Sequence, residues 1–267
     1  SSRALPCHGG QKAQAGMGSG HEEGGELDVA CDSGAAVGAG QLAELEAVAQ
    51  GALAPPAQDE AEGETPEALA ELYGLSKGAT VLLVGEGNLS LAAALAGVCP
   101  GSRLVATTLE APEEHAQIYP GAASRAEALR AAGAQVGHGV DATDLAGTLP
   151  PGCRRPYDRI VFQFPQHRER RKINKHRELL QQFFTSATSH LVENGKVVVS
   201  LCKGQGGTPA ESTLKRPADT WQVQAAAASA GLLMQQVRPC PIRTLAAFGY
   251  MSTGFRINGM RDTNADL

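Results

Sequence analysis

The sequence predicts a doubly wound α/β domain built on a mostly parallel sheet of seven strands. Short apolar runs alternate with helical patterns from Thr80 onward, the order that yields parallel strands joined by crossover helices. The first run, residues 81–84 (VLLV), is apolar at every position, as in a strand buried on both faces. Gly85 and Gly87 break that run at once and lead into a helical stretch, LAAAL at residues 91–95. A buried strand, a glycine turn and a helix start form the junction at which such sheets hold ligands.

The elements follow in order. Thr65 reads as a helix cap with Pro66 at the first helical position, and the helix runs through Leu69 and Leu72 to a stop near Gly74. After the glycine turn, residues 103–108 (RLVATT) read as a second strand and residues 124–132 as a helix stopped by Gly133. Residues 135–140 give a third strand ending at Asp141, and residues 157–164 (YDRIVFQF) a fourth. Leu179, Leu180, Phe183, Phe184, Leu191 and Val192 mark one long amphipathic helix, closed by Asn194 and Gly195. Residues 196–201 (KVVVSL) form a fifth strand, residues 221–230 a helix ended by Gly231, residues 232–237 a sixth strand and residues 248–256 a seventh.

Charge divides the chain. Up to residue 65 there are eleven Asp/Glu and two Lys/Arg, a net of −9, whereas the remainder carries seventeen acids and twenty-one bases, a net of +4. Residues 1–64 are rich in Gly, Ala and Glu, cannot bury enough apolar surface to offset ordering entropy, and are expected to be a mostly disordered acidic extension. Residues 65–267 are expected to form the α/β domain. The six cysteines show neither zinc-ligand spacing nor a disulfide framework, so the expected setting is an intracellular reducing compartment without a metal. No stretch approaches the length of a membrane span.

The chemistry is expected at the carboxyl ends of the strands. Gly85, Glu86, Gly87 and Asn88 end the first strand, and Asn88 and Ser90 are suited to cap the helix that follows. The third glycine of a dinucleotide fingerprint is missing, which favours an adenosyl ligand without a pyrophosphate, such as S-adenosylmethionine. Glu110, at the end of the second strand, stands where an acid meets ribose hydroxyls; Asp141 and Ala142 stand where a carboxylate accepts from an adenine amino group. The fourth strand ends in Gln163, Phe164, Pro165 and Gln166. An amide there can accept a target N–H, the aromatic ring can stack on an extruded base, and proline holds its predecessor extended. Beyond lies a run dense in Lys and Arg, residues 167–177 (HRERRKINKHR), a candidate RNA-backbone surface through Arg168, Arg170, Arg171, Lys172 and Lys175. Lys203 and a glycine-rich segment at residues 204–207 form a further candidate wall, and His167 is a candidate base.

The series GEGNLS, ATTLE, YPGA, GVDAT, DRIVFQFP, RELLQQFF and FGYMSTGFR resembles the Rossmann-like domain of the 25S rRNA (uridine-N3)-methyltransferase family, over roughly residues 78–256. The segment GKVVVSLCKGQGGTP, with Trp221, is most similar to the branch found in ferredoxin-fold anticodon-binding domain-containing proteins. The resemblance implies S-adenosylmethionine at Gly85, Glu86, Gly87, Asn88, Glu110 and Asp141. It implies methyl transfer to a uridine ring nitrogen of ribosomal RNA, a nuclear or nucleolar location with an organelle as the alternative, and ribosomal or assembly-factor partners. The family usually carries Asn-Phe-Pro-His where this chain has Gln163-Phe164-Pro165-Gln166. Gln is one methylene longer than Asn, and Gln166 cannot take up a proton as His can. The alternative reading is therefore a catalytically weak or inactive member serving as an RNA-binding or assembly subunit; a small-molecule methyltransferase is disfavoured by the basic run.

Overall fold

The structure, a computed structural model, describes residues 65–169, 171–211 and 215–253. Five strands form one parallel sheet: β1 (Thr80–Val84), β2 (Arg103–Thr107), β3 (Gln135–Gly137), β4 (Tyr157–Gln163) and β5 (Leu191–Ser200), in the spatial order β3-β2-β1-β4-β5. The helices are α1 (Pro66–Tyr73), α2 (Ser90–Val98), α3 (Pro112–Ile118), α4 (Ala122–Ala131), α5 (Leu145–Thr148), α6 (Ile173–Thr188), α7 (Val223–Ser229) and α8 (Ile242–Ala247).

Alternation along the strands divides the core between the two faces of the sheet. Leu82, Val84, Ile160 and Phe162 pack with Leu180, Phe183 and Phe184 of α6 and Ala226 and Ala227 of α7. Val81, Leu83, Leu104 and Val161 pack on the other face with α1, α2, α4 and Leu245 of α8. Because both faces are covered, the strands are apolar almost throughout, which is why residues 81–84 read as a continuous run. The order reverses between β1 and β4: the chain winds from β1 outward to β3, then returns to lay β4 on the other side of β1. Val84 stands beside Phe162, and Gln163 beside Ser200, so the carboxyl ends of β1, β4 and β5 lie side by side at the point where the strand order reverses.

Among the described residues the sheet has five strands, where the sequence predicts seven. Residues 232–237 join no strand among the described residues; Gln235 and Gln236 interrupt the apolar run, and Leu233 is 88% exposed. The expected seventh strand lies partly outside the described residues, and residues 248–253 form a turn and an irregular segment. β3 stops at Gly137, and Gly139 at φ +69° turns the chain before Asp141.

The long helix also ends earlier than expected. α6 stops at Thr188, and Leu191 and Val192 belong to β5. The hydroxyls of Thr185, Thr188 and Ser189 bond back to carbonyls one turn earlier, the local competition that ends helices without a glycine. Asn194, at φ +62°, and Gly195 instead sit in an irregularity of β5, where the pairing jumps from Tyr157–Leu191 to Arg159–Lys196. The predicted first helix is seen with both caps: Thr65 Oγ1 accepts from Ala68 N, and Gly74 closes α1 at φ +63°.

Candidate active site

The glycine turn is built from its own side chains. Glu86 is buried, and its Oε2 accepts from Ala92 N at 3.2 Å, in the first turn of α2. Asn88 Oδ1 accepts from Ser90 N at 3.0 Å, across Leu89 at φ +61°. The helix start that the sequence assigns to Asn88 and Ser90 is thus closed by Glu86 and Asn88, and Ser90 faces elsewhere. Two of its free N–H groups are occupied, which leaves little for a phosphate. Burial pushes the Glu86 carboxyl up to about 7, opposed by its bond from Ala92.

A late segment of the chain completes the turn. Asn88 Nδ2 and Ser90 Oγ each donate to the Met251 carbonyl at 3.0 Å, and Met251 N donates to Ser90 Oγ at 2.9 Å. A Cβ at Gly87 would lie 3.0 Å from Thr253 Cγ2 and 3.1 Å from Tyr119 Cε1, so a side chain there requires both neighbours to give by a few tenths of an ångström. At Gly85, φ +66°, a Cβ would meet the Phe162 ring at 2.5 Å. Beneath the turn, buried His115 donates from Nε2 to the Gly87 carbonyl, and its ring centre is 5.2 Å from those of Tyr119 and His138. Burial, then the His115 and Arg130 charges, holds His138 below the usual imidazole range.

The two acids reach the same end of the sheet. Glu110 follows β2, and its carbonyl accepts from Gly139 N at 3.0 Å; among the described residues no hydrogen bond to its carboxylate is present. Asp141 Oδ1 accepts from Thr143 N and Oγ1 at 2.8 and 2.7 Å, while buried Ala142 packs in the core with Val140. One acid therefore has both oxygens uncommitted and the other has one committed.

At the end of β4, Ser200 Oγ donates to Gln163 Oε1 at 2.6 Å and Gln163 Nε2 donates to Cys240 Sγ at 3.4 Å. Phe164 lies at φ +49°, not extended as its proline neighbour suggests, and its N–H donates to the Ser200 carbonyl at 3.0 Å. That tie to β5, together with packing of the Phe164 ring, outweighs the usual preference before proline. Pro165 is buried and Gln166 exposed. His167 Nδ1 accepts from Glu169 N at 3.0 Å, which leaves Nε2 as the protonated nitrogen of the neutral ring, so in this geometry the ring is a donor.

The basic run divides by role. Arg168 and Arg171 are exposed; Lys172 pairs with Glu169 and Lys175 with Glu178 at 2.8 Å, both on the surface. Arg170 lies outside the described residues. His176 is only 1% exposed: it stacks on Trp221 at 4.1 Å and accepts from His167 N at 3.4 Å. Arg177 donates through its guanidinium to the carbonyls of Pro217, Ala218 and Thr220. Lys203 is exposed on a loop whose Gln205 and Gly206 carbonyls accept from Trp221 and Val223. No group of three or more metal-ligating side chains occurs among the described residues, and no helix there is long and apolar enough to cross a membrane.

Sequence reasoning missed His115, Ser200, Cys240 and the bonds made by Met251 and Thr253's approach to Gly87. Nothing local marks them; Tyr119 and Tyr250 to Thr253 appear only inside the family-like motifs YPGA and FGYMSTGFR.

The strand order, the glycine turn at the reversal and the acids after β2 and β3 define a Rossmann-like domain of the methyltransferase class. A family model described as rRNA (uridine-N3-)-methyltransferase, BMT5-like, matches residues 82–250, and the chain belongs to that family. Over 177 residues it is 43% identical to human ferredoxin-fold anticodon-binding domain-containing protein 1, covering 66% of this chain and 28% of that protein. Over 128 residues it is 38% identical to heavy metal-associated isoprenylated plant protein 41 of Arabidopsis thaliana, covering 45% of this chain and 24% of the other. A crystal structure of the 16S rRNA methyltransferase KamB aligns with a TM-score of 0.41 at 16% identity, covering 69% of this chain and 83% of that one. The chain thus spans less than a third of the length of the human relative.

Proposed function

We propose that the chain binds S-adenosylmethionine at the carboxyl ends of β1, β2 and β3 and methylates a uridine ring nitrogen, N3, in RNA, with ribosomal RNA as the substrate class. The observation that carries the reading is the family membership of residues 82–250, which contain the glycine turn, both acids and the strand-four tetrapeptide. The residues fit the cofactor. A helix start already closed by Glu86 and Asn88 suits a ligand without phosphates, and the Glu110 carboxylate is uncommitted for the ribose. When bound, S-adenosylmethionine supplies an electrophilic methyl group.

The chain's own task is alignment of the base and a hydrogen bond to its imide N–H, whose proton passes to bulk water as the N–CH3 bond forms. In this reading Gln163 receives the target N–H, Phe164 packs on the base, and Pro165 with buried His176 fixes the loop behind them. In the same reading Arg168, Arg170, Arg171, Lys172, Lys175 and Lys203 hold the RNA backbone, and the rRNA-modifying family supports a nuclear or nucleolar setting among ribosomal or assembly-factor proteins. Mass spectrometry of RNA nucleosides from cells with and without the protein is the test: loss of 3-methyluridine from ribosomal RNA is expected, and an unchanged nucleoside profile would refute catalysis.

One observation favours a second reading, in which the fold binds RNA without turnover. Thr253 and Tyr119 occupy the side of Gly87 toward which a Cβ would project, 3.0 and 3.1 Å from its position. Calorimetry separates the two, since the non-catalytic reading expects no S-adenosylmethionine binding.

A further inference from the structure

The end of β4 carries a small closed circuit of side chains. Gln163 Nε2 donates to Cys240 Sγ at 3.4 Å, Cys240 Sγ donates to Ser200 Oγ at 3.7 Å, and Ser200 Oγ donates to Gln163 Oε1 at 2.6 Å. The distances fix the direction. A separation of 2.6 Å suits O–H···O and is short for N–H···O, and the long contact to sulfur suits an amide N–H. The Tyr250 phenol is a further hydrogen-bond neighbour of the same amide and of Ser252. Ser200 also takes the next residue in hand, because its carbonyl accepts from Phe164 N at 3.0 Å. Gln163 and Ser200 are direct partners across β4 and β5, so the sheet itself sets their separation.

A primary amide offers two N–H donors and two acceptor lone pairs. Here Nε2 donates to Cys240, and one lone pair of Oε1 is taken by Ser200. On Oε1 a single lone pair remains for a ligand, and Gln163 is only partly buried.

We infer that Ser200, Cys240 and Tyr250 are positioning residues that hold Gln163 as an acceptor alone, and so select a pyrimidine whose ring nitrogen carries a hydrogen, uracil, over one whose ring nitrogen is itself an acceptor, cytosine. This rests on the proposed role of Gln163 toward the target base. A free amide turns over and serves either pyrimidine; a fixed one leaves cytosine N3 facing an oxygen, two acceptors with no proton between them. The Asn-to-Gln departure then has a counterpart in the same layer, since the longer side chain is the one that Ser200 and Cys240 hold.

The test is a ratio. Fluorescence anisotropy of the full chain with oligouridylate and oligocytidylate of equal length, at one salt concentration, cancels the shared backbone term. The parent is expected to prefer uridylate by about tenfold, the scale of one good base contact. Ser200→Ala should bring the ratio to near unity, Ser200→Thr, which keeps the hydroxyl, should restore it, and Tyr250→Phe should lower it in part. A parent without preference, or a Ser200→Ala protein that keeps it while melting like the parent, would overturn the inference. Calorimetry with S-adenosylmethionine on the same samples reports on the proposed function separately: failure there leaves the uridylate ratio readable, and a flat ratio with intact cofactor binding sinks the base selection alone.

Discussion

Ser90 and Met251 exchange two hydrogen bonds through one hydroxyl: Ser90 Oγ donates to the Met251 carbonyl at 3.0 Å and accepts from Met251 N at 2.9 Å. The first residue of α2 is thereby tied to a segment 161 positions later, and Thr253 is brought against Gly87. Ser90→Ala removes both bonds in a buried site. It should destabilise the domain by about 1–3 kcal/mol, read as a lower midpoint in urea, and a midpoint equal to the parent's would show that the tie contributes nothing.

Glu110 offers a cleaner probe of the cofactor. Its carboxylate carries no hydrogen bond among the described residues, so removing it costs the fold little. Glu110→Ala should weaken S-adenosylmethionine by roughly tenfold or more in calorimetry, the scale of a charged hydrogen bond, with an unchanged melting temperature. Equal affinity would displace the ribose from this acid.

The surface cations predict a salt dependence. Replacing Arg168, Arg171 and Lys172 with alanine should weaken RNA binding and flatten the slope of affinity against salt by roughly one for each phosphate left without a cation. S-adenosylmethionine affinity should stay constant. A triple variant that follows the parent across a salt titration would reduce the run to a solvated face.

Glu86 predicts a pH effect on stability. Its folded carboxyl is raised to about 7 from an ordinary value of 4.5. Between these values the unfolded chain releases the proton and the folded chain keeps it, so stability falls as pH rises through this window. Below it, both states are protonated and the contribution is intact; above it, the loss is complete, at most about 3 kcal/mol. Glu86→Gln should therefore melt with a weaker decline between pH 5 and pH 8 than the parent. Parallel profiles would mean that the carboxyl titrates normally.

A chain beginning at Thr65 should melt cooperatively, because Thr65 and Gly74 supply both caps of α1, and Leu69 and Tyr73 seat it in the core. Loss of a cooperative transition on this truncation would make the acidic extension part of the folding unit.

What the sequence disclosed follows from how local each signal is. Residues 81–84, Gly85 and Gly87 announce β1 and its turn because burial on both faces and close backbone approach act within a few positions. The caps Thr65 and Gly74 are equally local. Leu191 and Val192 misled, since apolar residues at helical spacing after Phe184 serve as well for a strand entered through a tight turn. Residues 232–237 misled because a strand needs a partner edge, which no window of sequence contains. His176 lay hidden in a run of charges; its burial depends on Trp221, brought to it only by the fold. The candidate site was legible at its turn and its acids, and illegible where Ser200, Cys240 and Met251 meet it from afar.

The bond between Ser90 and Met251 also sets an order of events during synthesis. The ribosome emits β1 and α2 long before residue 251, and the buried strands can begin to collapse as they emerge. The turn at residues 85–88 stays unfinished through that interval, because its last partners are near the end of the described chain. A nascent chain can thus own most of the sheet while the turn at residues 85–88 still lacks Met251 and Thr253, so the proposed ligand site is completed only after residues 251–253 have been made.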